Sequence, residues 1–312
     1  MHAIERAQID DNILVLGAGE LGMSVIRALV DAAPERLRVK ITVMLRSSAA
    51  KDRETAKKRD LDALRELGIE ILQADIAHDS IEALAAHFAR FDTVIGCVGF
   101  VAGAGTQRKL ARAALQSGVK RYLPWQFGVD YDVIGKGSPQ DLFDEQLDVR
   151  ALLRAQHATE WIIISTGMFT SFLFEPAFGV VDLAQNTVHA LGSWDTQVTV
   201  TTPDDIGMLT AQIVFAEPRI ANEVVYTAGD TLSYRQLADT LDEKLSRTLL
   251  RVAWPVSQLQ RELAEHPGDQ MKEYRAVFAE GKGVAWDKRT TFNATHDIAV
   301  TTTSAWIDQH LA

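Results

Sequence analysis

The sequence predicts an α/β fold: a doubly wound parallel sheet with a smaller α+β lobe at its C-terminal end. In the first half of the chain, short apolar segments of strand length alternate with longer segments of helical periodicity. A glycine-rich turn joins the first strand to the first helix. Beyond residue 168 shorter strands and an aromatic run replace this alternation. We therefore expect a nucleotide-binding domain over 1–168 and a substrate lobe over 169–312, with some later segments returning to the sheet.

The glycine-rich turn has the pattern G-x-G-x-x-G and lies between an apolar run and a helical pattern, a context typical of dinucleotide binding. Gly17 is expected to make the tight turn, and Gly19 to let a pyrophosphate approach the backbone. Gly22 is expected to bring the helix close to the strand. Glu20 and Leu21 complete the loop, whose N–H groups and helix dipole would hold the pyrophosphate.

The second strand, 39–45, decides which dinucleotide is expected. An NAD site has an Asp or Glu at this strand end to bind the ribose 2′-hydroxyl, whereas this chain continues with Arg46 and Ser47. A guanidinium suits a 2′-phosphate because it is always charged and donates in a fork. The sequence therefore favours NADP(H). The alternative is that Arg46 is merely solvated and NAD binds without selectivity.

Four further strands and their connecting helices complete the predicted sheet. The strands are expected over 69–75, 91–99, 121–125 and 161–165, and the helices over 49–67, 80–88, 110–116 and 142–153. Because ligands collect at the carboxyl ends of such strands, Val98 and Gly99 are candidate cofactor contacts, as are Gln126 and Phe127. Asp75 could meet the adenine end of the cofactor or, equally, cap the turn that follows it.

The lobe is expected to contain strands at 187–191, 197–201 and 224–227. Capping patterns that begin at Thr202 and Ser233 predict two helices, and residues 255–280 are expected to be helical with a break near 266–268. The aromatic run contributes Phe169, Phe172 and Phe174. These rings are either the apolar wall of a substrate pocket or the core of the lobe.

Composition excludes several function classes. The 312 residues are 47% hydrophobic and carry a net charge of −10, which repels a nucleic-acid backbone. The single cysteine excludes an internal disulfide, and the scattered histidines form no metal-binding pattern. The sequence shows no apolar segment long enough to span a membrane and no apolar signal region at its N-terminus. We therefore expect a cytoplasmic protein, a monomer or homodimer, without a metal.

The order of these motifs resembles the NmrA-like family, especially its isoflavone reductase and phenylcoumaran benzylic ether reductase branch of atypical short-chain dehydrogenases. The likeness covers nearly the whole chain and is carried by the glycine motif, Leu45-Arg46, 119–128, 143–150, 165–169 and 202–207. It implies an NADP(H)-binding domain with a smaller substrate lobe. It also implies hydride transfer from NADPH to an aromatic, isoflavone- or phenylpropanoid-like small molecule.

The chain departs from this family at the catalytic position. The resembling reductases carry a lysine four residues before an arginine, and counting back from Arg150 gives Gln146. A glutamine can hydrogen-bond a substrate oxygen but cannot transfer a proton at neutral pH. Tyr131 and Lys136, on the loop after the fifth strand, are the candidate replacements, and the alternative for each is an ordinary solvent-facing loop residue.

The missing lysine leaves two functions open. The first is an NADPH-dependent reductase in which Gln146 orients the substrate and Tyr131, Lys136 or water supplies the proton. The second is a non-catalytic regulator of the NmrA type, which would use the dinucleotide to set the conformation of a partner-binding face.

Overall fold

The computed structural model describes residues 9–34, 37–46, 61–100 and 103–311. The strands are β1 Ile9–Leu16, β2 Leu37–Leu45, β3 Glu70–Gln73, β4 Thr93–Gly96, β5 Arg121–Leu123, β6 Glu160–Ser165, β7 Met168–Phe169, β8 Val181–Asp182, β9 Thr187–Leu191, β10 Gln197–Thr201, β11 Glu223–Tyr226, β12 Asp230–Ser233 and β13 Leu250–Trp254. The helices are α1 Glu20–Ala32, α2, of which 61–66 are described, α3 Ile81–Phe88, α4 Thr106–Ser117, α5 Tyr131–Ile134, α6 Leu142–Arg154, α7 Pro203–Val214, α8 Tyr234–Lys244, α9 Val256–Glu265, α10 Gln270–Ala279, α11 Phe292–Thr295 and α12 Thr303–His310.

A seven-stranded sheet with the order β11-β6-β5-β4-β1-β2-β3 confirms the predicted doubly wound fold. Strand β1 pairs in parallel with β2 on one side and β4 on the other, so Leu16 lies opposite Met44 and Gly96. The strand order reverses between β1 and β4. This reversal leaves a crevice at the carboxyl ends of the two strands, which is where doubly wound sheets bind their ligands.

Both faces of the central strands are covered, as their unbroken apolar sequences predict. The last four residues of β1, Ile13 to Leu16, are fully buried, and all of β4 is buried. The glycine turn therefore follows a strand whose end is packed on both faces, and this packing positions the turn.

Helix starts in the structure follow the capping residues of the sequence. Ser80 caps α3, and Ser233 forms a complete capping box with Gln236 at the start of α8. The Thr202 hydroxyl accepts a hydrogen bond from the Asp205 N–H at 3.1 Å. Helix α4 differs from its prediction because it begins at Thr106, four residues before the predicted start, directly after Gly105 with φ +86°.

The chain forms two compact units, each made of several segments. The sheet unit is Met1–Trp125, Asp148–Ile163 and Ile206–Glu223, and the lobe unit is Gln126–Leu147, Ile164–Asp205 and Val224–Ala312. The units interleave along the chain because the polypeptide returns to the sheet unit twice. The predicted division into an NADP-binding domain over 1–168 and a substrate-binding lobe over 169–312 stays a prediction.

Smaller sheets and an aromatic core build the lobe unit. Its three-stranded sheets have the orders β12-β10-β7 and β13-β9-β8. The strands predicted at 187–191 and 197–201 are β9 and β10. The short β7, β8 and β12 and the exposed β13 had no clear alternation in the sequence and were not predicted.

Asp11 on β1 carries a raised pKa that makes the folded state sensitive to pH. Burial raises the pKa of the Asp11 carboxyl, with a further contribution from Asp92, against the opposing effect of cations such as Arg121. The folded state therefore binds this proton more tightly than the unfolded chain does. Stability from this group is complete below the ordinary carboxyl pKa and is lost as the pH rises through the raised value.

We expect Asp11→Asn to raise Tm at neutral pH, because asparagine keeps the shape and removes the buried charge. The gain should vanish below about pH 4, near the ordinary pKa of aspartate. Thermal unfolding at the two pH values checks this, with Asp31→Asn on the exposed side of α1 as the control. A gain of the same size at both pH values would show that titration of Asp11 is not its cause.

Candidate functional site

The glycine turn between β1 and α1 requires glycine at its first position. Gly17 has φ +93°, a conformation that side chains disfavour, and its N–H donates to the Met44 carbonyl at 3.1 Å. A Cβ atom at this position would lie 2.8 Å from Cγ2 of Val98. The turn is therefore held against β2 and against the end of β4 at the same time.

Gly19, at the N-cap of α1, lies beside open space. Apart from its two chain neighbours, no described residue has an atom within 4 Å of a Cβ placed on Gly19, and its φ of −72° is accessible to any residue. Among the described residues no side chain caps this helix end, so the first-turn N–H groups keep their capacity to bind an acceptor. Glu20 is exposed and Leu21 is buried, so Leu21 offers only its backbone to a ligand at this end.

Gly22 brings α1 against the turn. A Cβ at Gly22 would lie 2.3 Å from the Gly17 carbonyl oxygen and 3.4 Å from Cβ of Cys97. The close packing expected of this glycine is therefore observed. Burial raises the pKa of the Cys97 thiol, so the thiol stays protonated and fills space under the turn.

The end of β2 supplies an accessible cation. Arg46 follows Leu45 directly and is exposed. Within the part of the chain that the structure describes, its guanidinium makes no hydrogen bond or ion pair. It therefore has its full hydrogen-bonding capacity for a phosphate. Ser47, the other candidate at this strand end, lies outside the described residues.

Asp75, at the end of β3, caps the turn that follows it. Its Oδ1 accepts hydrogen bonds from the N–H groups of Ala77 at 3.0 Å and His78 at 3.2 Å. The hydrogen bond from the His78 ring is the main cause that lowers the pKa of the Asp75 carboxyl. Of the two roles considered for Asp75, the structure displays capping. Its contact with a cofactor stays a prediction.

The loop after β4 contains Val98 and Gly99, and it is held from two sides within the sheet unit. The Gln107 side-chain amide donates to the Val98 carbonyl at 2.7 Å and to the Gly99 carbonyl at 3.2 Å. The Trp125 ring lies against Gly99, where a Cβ would be 3.1 Å from the nearest ring atom. The sequence reasoning missed both Gln107 and Trp125. A helix start placed at Gly105 would have shown only that Gln107 lies in the first turn of the helix.

In the lobe unit, the loop after β5 is tied to helix α6. Gln126 is fully buried, and its side-chain amide donates to the main-chain carbonyl of Gln146 at 2.9 Å. Phe127 and Gln146 are also buried. Two of the predicted site residues, Gln126 and Gln146, are thus brought together, and Gln126 fixes the segment of α6 that carries Gln146.

The same loop continues into α5, and the two proton-donor candidates in this region differ in their exposure to solvent. Tyr131 is buried, with its ring edge-on to Phe143 at 5.0 Å, and its hydroxyl lies against the Gly128 backbone. Lys136 is exposed in the turn beyond α5. Asp130 caps α5 and accepts a hydrogen bond from the Tyr226 hydroxyl at 2.7 Å, so its carboxylate has a structural role.

The three phenylalanines proposed to contact substrate lie in the lobe unit at and after β7. Phe172 packs on Phe178 at 4.6 Å, and Phe174 stacks on Trp306 at 4.5 Å. Phe169 is partly exposed. Phe172 and Phe174 are packed against the core of the lobe while remaining partly exposed, and their contact with substrate stays a prediction.

Two kinds of feature are absent from the part of the chain that the structure describes. Over the described ranges, no group of three or more His, Cys, Asp or Glu side chains is arranged to hold a metal ion. In the same part of the chain, no helix combines the length and apolar character that crossing a bilayer needs.

The residues of the sheet unit fit the anionic half of a dinucleotide. Gly19 leaves room at the backbone, and among the described residues no side chain competes for the N–H donors at the start of α1. Arg46 offers an exposed guanidinium at the end of β2, the strand that pairs with β1. Pyrophosphate and 2′-phosphate are the anions that these donors suit.

Comparisons with known proteins give matches over most of the chain. A family model described as "NmrA-like family" matches residues 9–306. Over 294 residues the chain is 50% identical to an "NmrA-like family domain-containing oxidoreductase" of Gibberella moniliformis, a match that covers 94% of this chain and 96% of that protein.

Two solved structures share the fold. An isoflavone reductase superimposes with a TM-score of 0.80 at 20% identity, covering 97% of this chain and 100% of the other. Leucoanthocyanidin reductase from Vitis vinifera, solved as a binary complex with NADPH, superimposes with a TM-score of 0.78 at 21% identity, covering 96% and 98%.

Proposed function

The chain belongs to the NmrA-like family, and from that premise we propose that it is an NADPH-dependent reductase of an aromatic small molecule. The observation that carries this proposal is the side-chain-free cradle at Gly19 combined with the exposed guanidinium of Arg46. The relative from Gibberella moniliformis is itself named an oxidoreductase. The fold neighbours named above are reductases, one of them solved with NADPH.

In this proposal the sheet unit binds and orients the cofactor, which supplies the hydride when it is bound. The N–H groups at the start of α1 hold the pyrophosphate, and Gly19 permits its close approach. Arg46 binds the 2′-phosphate through charge-assisted hydrogen bonds. Val98 and Gly99 support the end of the cofactor that reacts.

The lobe unit supplies the surroundings of the substrate. Phe169 and the partly exposed rings of Phe172 and Phe174 offer apolar surface to an aromatic, isoflavone- or phenylpropanoid-like molecule. Gln146 orients a substrate oxygen, because its amide can donate a hydrogen bond but cannot transfer a proton. The hydrogen bond from Gln126 keeps the backbone at Gln146 in place.

The experiment that tests this function mixes purified protein with NADPH and a panel of isoflavones, lignans and aromatic ketones. Loss of nicotinamide absorbance with formation of a reduced product supports the reductase. The matched control is Gly19→Ala, which leaves the lobe unit untouched. If the protein binds NADPH but reduces no member of the panel, the result contradicts the reductase function and favours a regulator.

Tyr131 is our candidate proton donor, because its hydroxyl is fixed against Gly128 whereas Lys136 is exposed. We expect Tyr131→Phe to lower kcat about a hundredfold or more, the contribution typical of a general acid. The substitution keeps the ring packed on Phe143, so Tm should change little. Lys136→Met is the comparison. If kcat falls strongly in Lys136→Met but not in Tyr131→Phe, Lys136 is the proton donor instead.

One observation favours a second function, a non-catalytic regulator that binds NADP(H). The position at which the resembling reductases carry a lysine is occupied by Gln146, which is fully buried. In a regulator, NADP(H) would bind with unchanged affinity in Gln146→Ala, and a second protein would be retained only in the presence of the cofactor. If wild type shows no turnover and Gln146→Lys gains it, the result supports the regulator over the reductase.

A further inference from the structure

Gln107 is almost entirely inaccessible to solvent, although it lies in the first turn of a surface helix. It is 2% exposed and is the second residue of α4. Its side chain reaches back to the loop after β4, where Nε2 donates to the carbonyl oxygens of Val98 and Gly99. One amide nitrogen therefore holds two consecutive peptide carbonyls of the loop that supports the cofactor in the proposed function.

The other amide atom of Gln107 has nothing to bind. Among the described residues, its Oε1 is buried and has no hydrogen-bond partner. The amide cannot be turned over to correct this, since Oε1 would then face two carbonyl oxygens that are acceptors only. Buried acceptors are nearly always paired in proteins, so an unpaired one indicates a donor that arrives from elsewhere.

The loop that Gln107 holds is adjacent to the glycine turn. Cγ2 of Val98 lies where a Cβ on Gly17 would be, 2.8 Å away, and the Trp125 ring covers Gly99. A bound dinucleotide that runs from the glycine turn across the end of β4 would bring its ribose hydroxyls to this loop. Hydroxyls are donors, and a single bound water could relay the same hydrogen bond.

We propose that Gln107 is a positioning residue for the nicotinamide half of the cofactor, with Nε2 fixing the Val98 and Gly99 carbonyls and Oε1 accepting from a ribose hydroxyl, directly or through one water. This inference rests on the proposed function, because it requires that the chain binds NADP(H). It concerns only the reacting half of the cofactor. The adenine half is held elsewhere, by the start of α1 and by Arg46.

The test compares two probes on one variant. Gln107→Met keeps the length of the side chain and removes both the donor and the acceptor. We expect its Kd for NADPH to rise about tenfold or more, as for loss of one or two hydrogen bonds, while its Kd for 2′,5′-ADP stays unchanged. Titration calorimetry measures both, and Gln116→Met on the exposed face of α4 is the matched control.

The possible outcomes distinguish a failure of this inference from a failure of the proposed function. If the wild-type protein binds neither probe, the proposed function itself is contradicted. If wild type binds both, equal losses for NADPH and 2′,5′-ADP in Gln107→Met would show a general structural role and overturn the positioning role. Unchanged affinity for both probes would overturn it as well.

A second variant keeps the proposal testable if Gln107→Met does not fold. In Gln107→Glu the carboxyl group donates only when it is protonated, and burial favours that form. We therefore expect the affinity of Gln107→Glu for NADP+, relative to wild type, to fall as the pH rises from about 5.5 to about 8. A pH profile identical to that of wild type would contradict the role of Nε2 as the donor to the loop.

Discussion

Gly19→Ala is expected to weaken NADPH binding about fivefold to a hundredfold, the range that corresponds to an overpacking cost of about 1–3 kcal/mol. The added methyl group would occupy the open space at the start of α1, where no described residue other than the two chain neighbours has an atom within 4 Å of a Cβ. Because the φ of −72° suits alanine, the free energy of unfolding of the protein without cofactor should change by less than about 1 kcal/mol.

Gly22→Ala is the matched comparison for Gly19→Ala. Its Cβ would lie 2.3 Å from the Gly17 carbonyl oxygen, a backbone atom that cannot move without shifting the turn. We expect a lower Tm as well as weaker cofactor binding, with a stability loss of about 1–3 kcal/mol. Thermal unfolding and NADPH titration of both variants check the pair. A normal NADPH affinity in Gly19→Ala would mean that the pyrophosphate does not bind at this turn.

Arg46→Ala is expected to weaken binding of NADPH by about tenfold to more than a hundredfold and to leave NADH nearly unaffected. This range corresponds to the loss of charge-assisted hydrogen bonds worth about 1.5–3 kcal/mol. Only NADPH carries the 2′-phosphate that a guanidinium would bind. The side chain is exposed at the end of β2, so its removal should not disturb the fold.

Two controls refine the Arg46 experiment. Arg27→Ala removes an exposed arginine from α1 in the same unit and should change neither affinity. Arg46→Lys keeps the charge but loses the forked donor geometry, so we expect a loss for NADPH smaller than that of Arg46→Ala. Equal losses for NADPH and NADH in Arg46→Ala would show that this residue does not recognise the phosphate.

The sequence predicted the sheet because its signals are local. A run such as Ile13 to Leu16 is apolar on both faces and flanked by a glycine turn, and this pattern describes a buried parallel strand wherever it occurs. Capping at Thr202 and Ser233 was equally local, since each hydroxyl accepts a hydrogen bond from the backbone N–H three residues ahead. The family resemblance depended on the order of such segments, and the family match over 9–306 confirms it.

The candidate site was predicted less completely, because its supporting contacts join distant residues. Nothing adjacent to Gln107 in the sequence shows that its side chain reaches the carbonyls of Val98 and Gly99. Asp75 was open to two roles, and the turn geometry that favours capping appears only when the chain is folded. The same holds for Phe172 and Phe174, whose rings pack on Phe178 and Trp306.

By itself the sequence determined the alternation of strands and helices, the glycine cradle and the cation that follows the second strand, because periodicity and turn chemistry involve neighbouring residues. Only the tertiary structure decided that Gln126 bonds the helix that carries Gln146. It also decided that Nε2 of Gln107 donates to the loop after β4, while its Oε1 has no partner among the described residues. The physical reason is that a side-chain hydrogen bond between segments depends on how the backbone is packed, and packing brings together residues that the sequence keeps far apart.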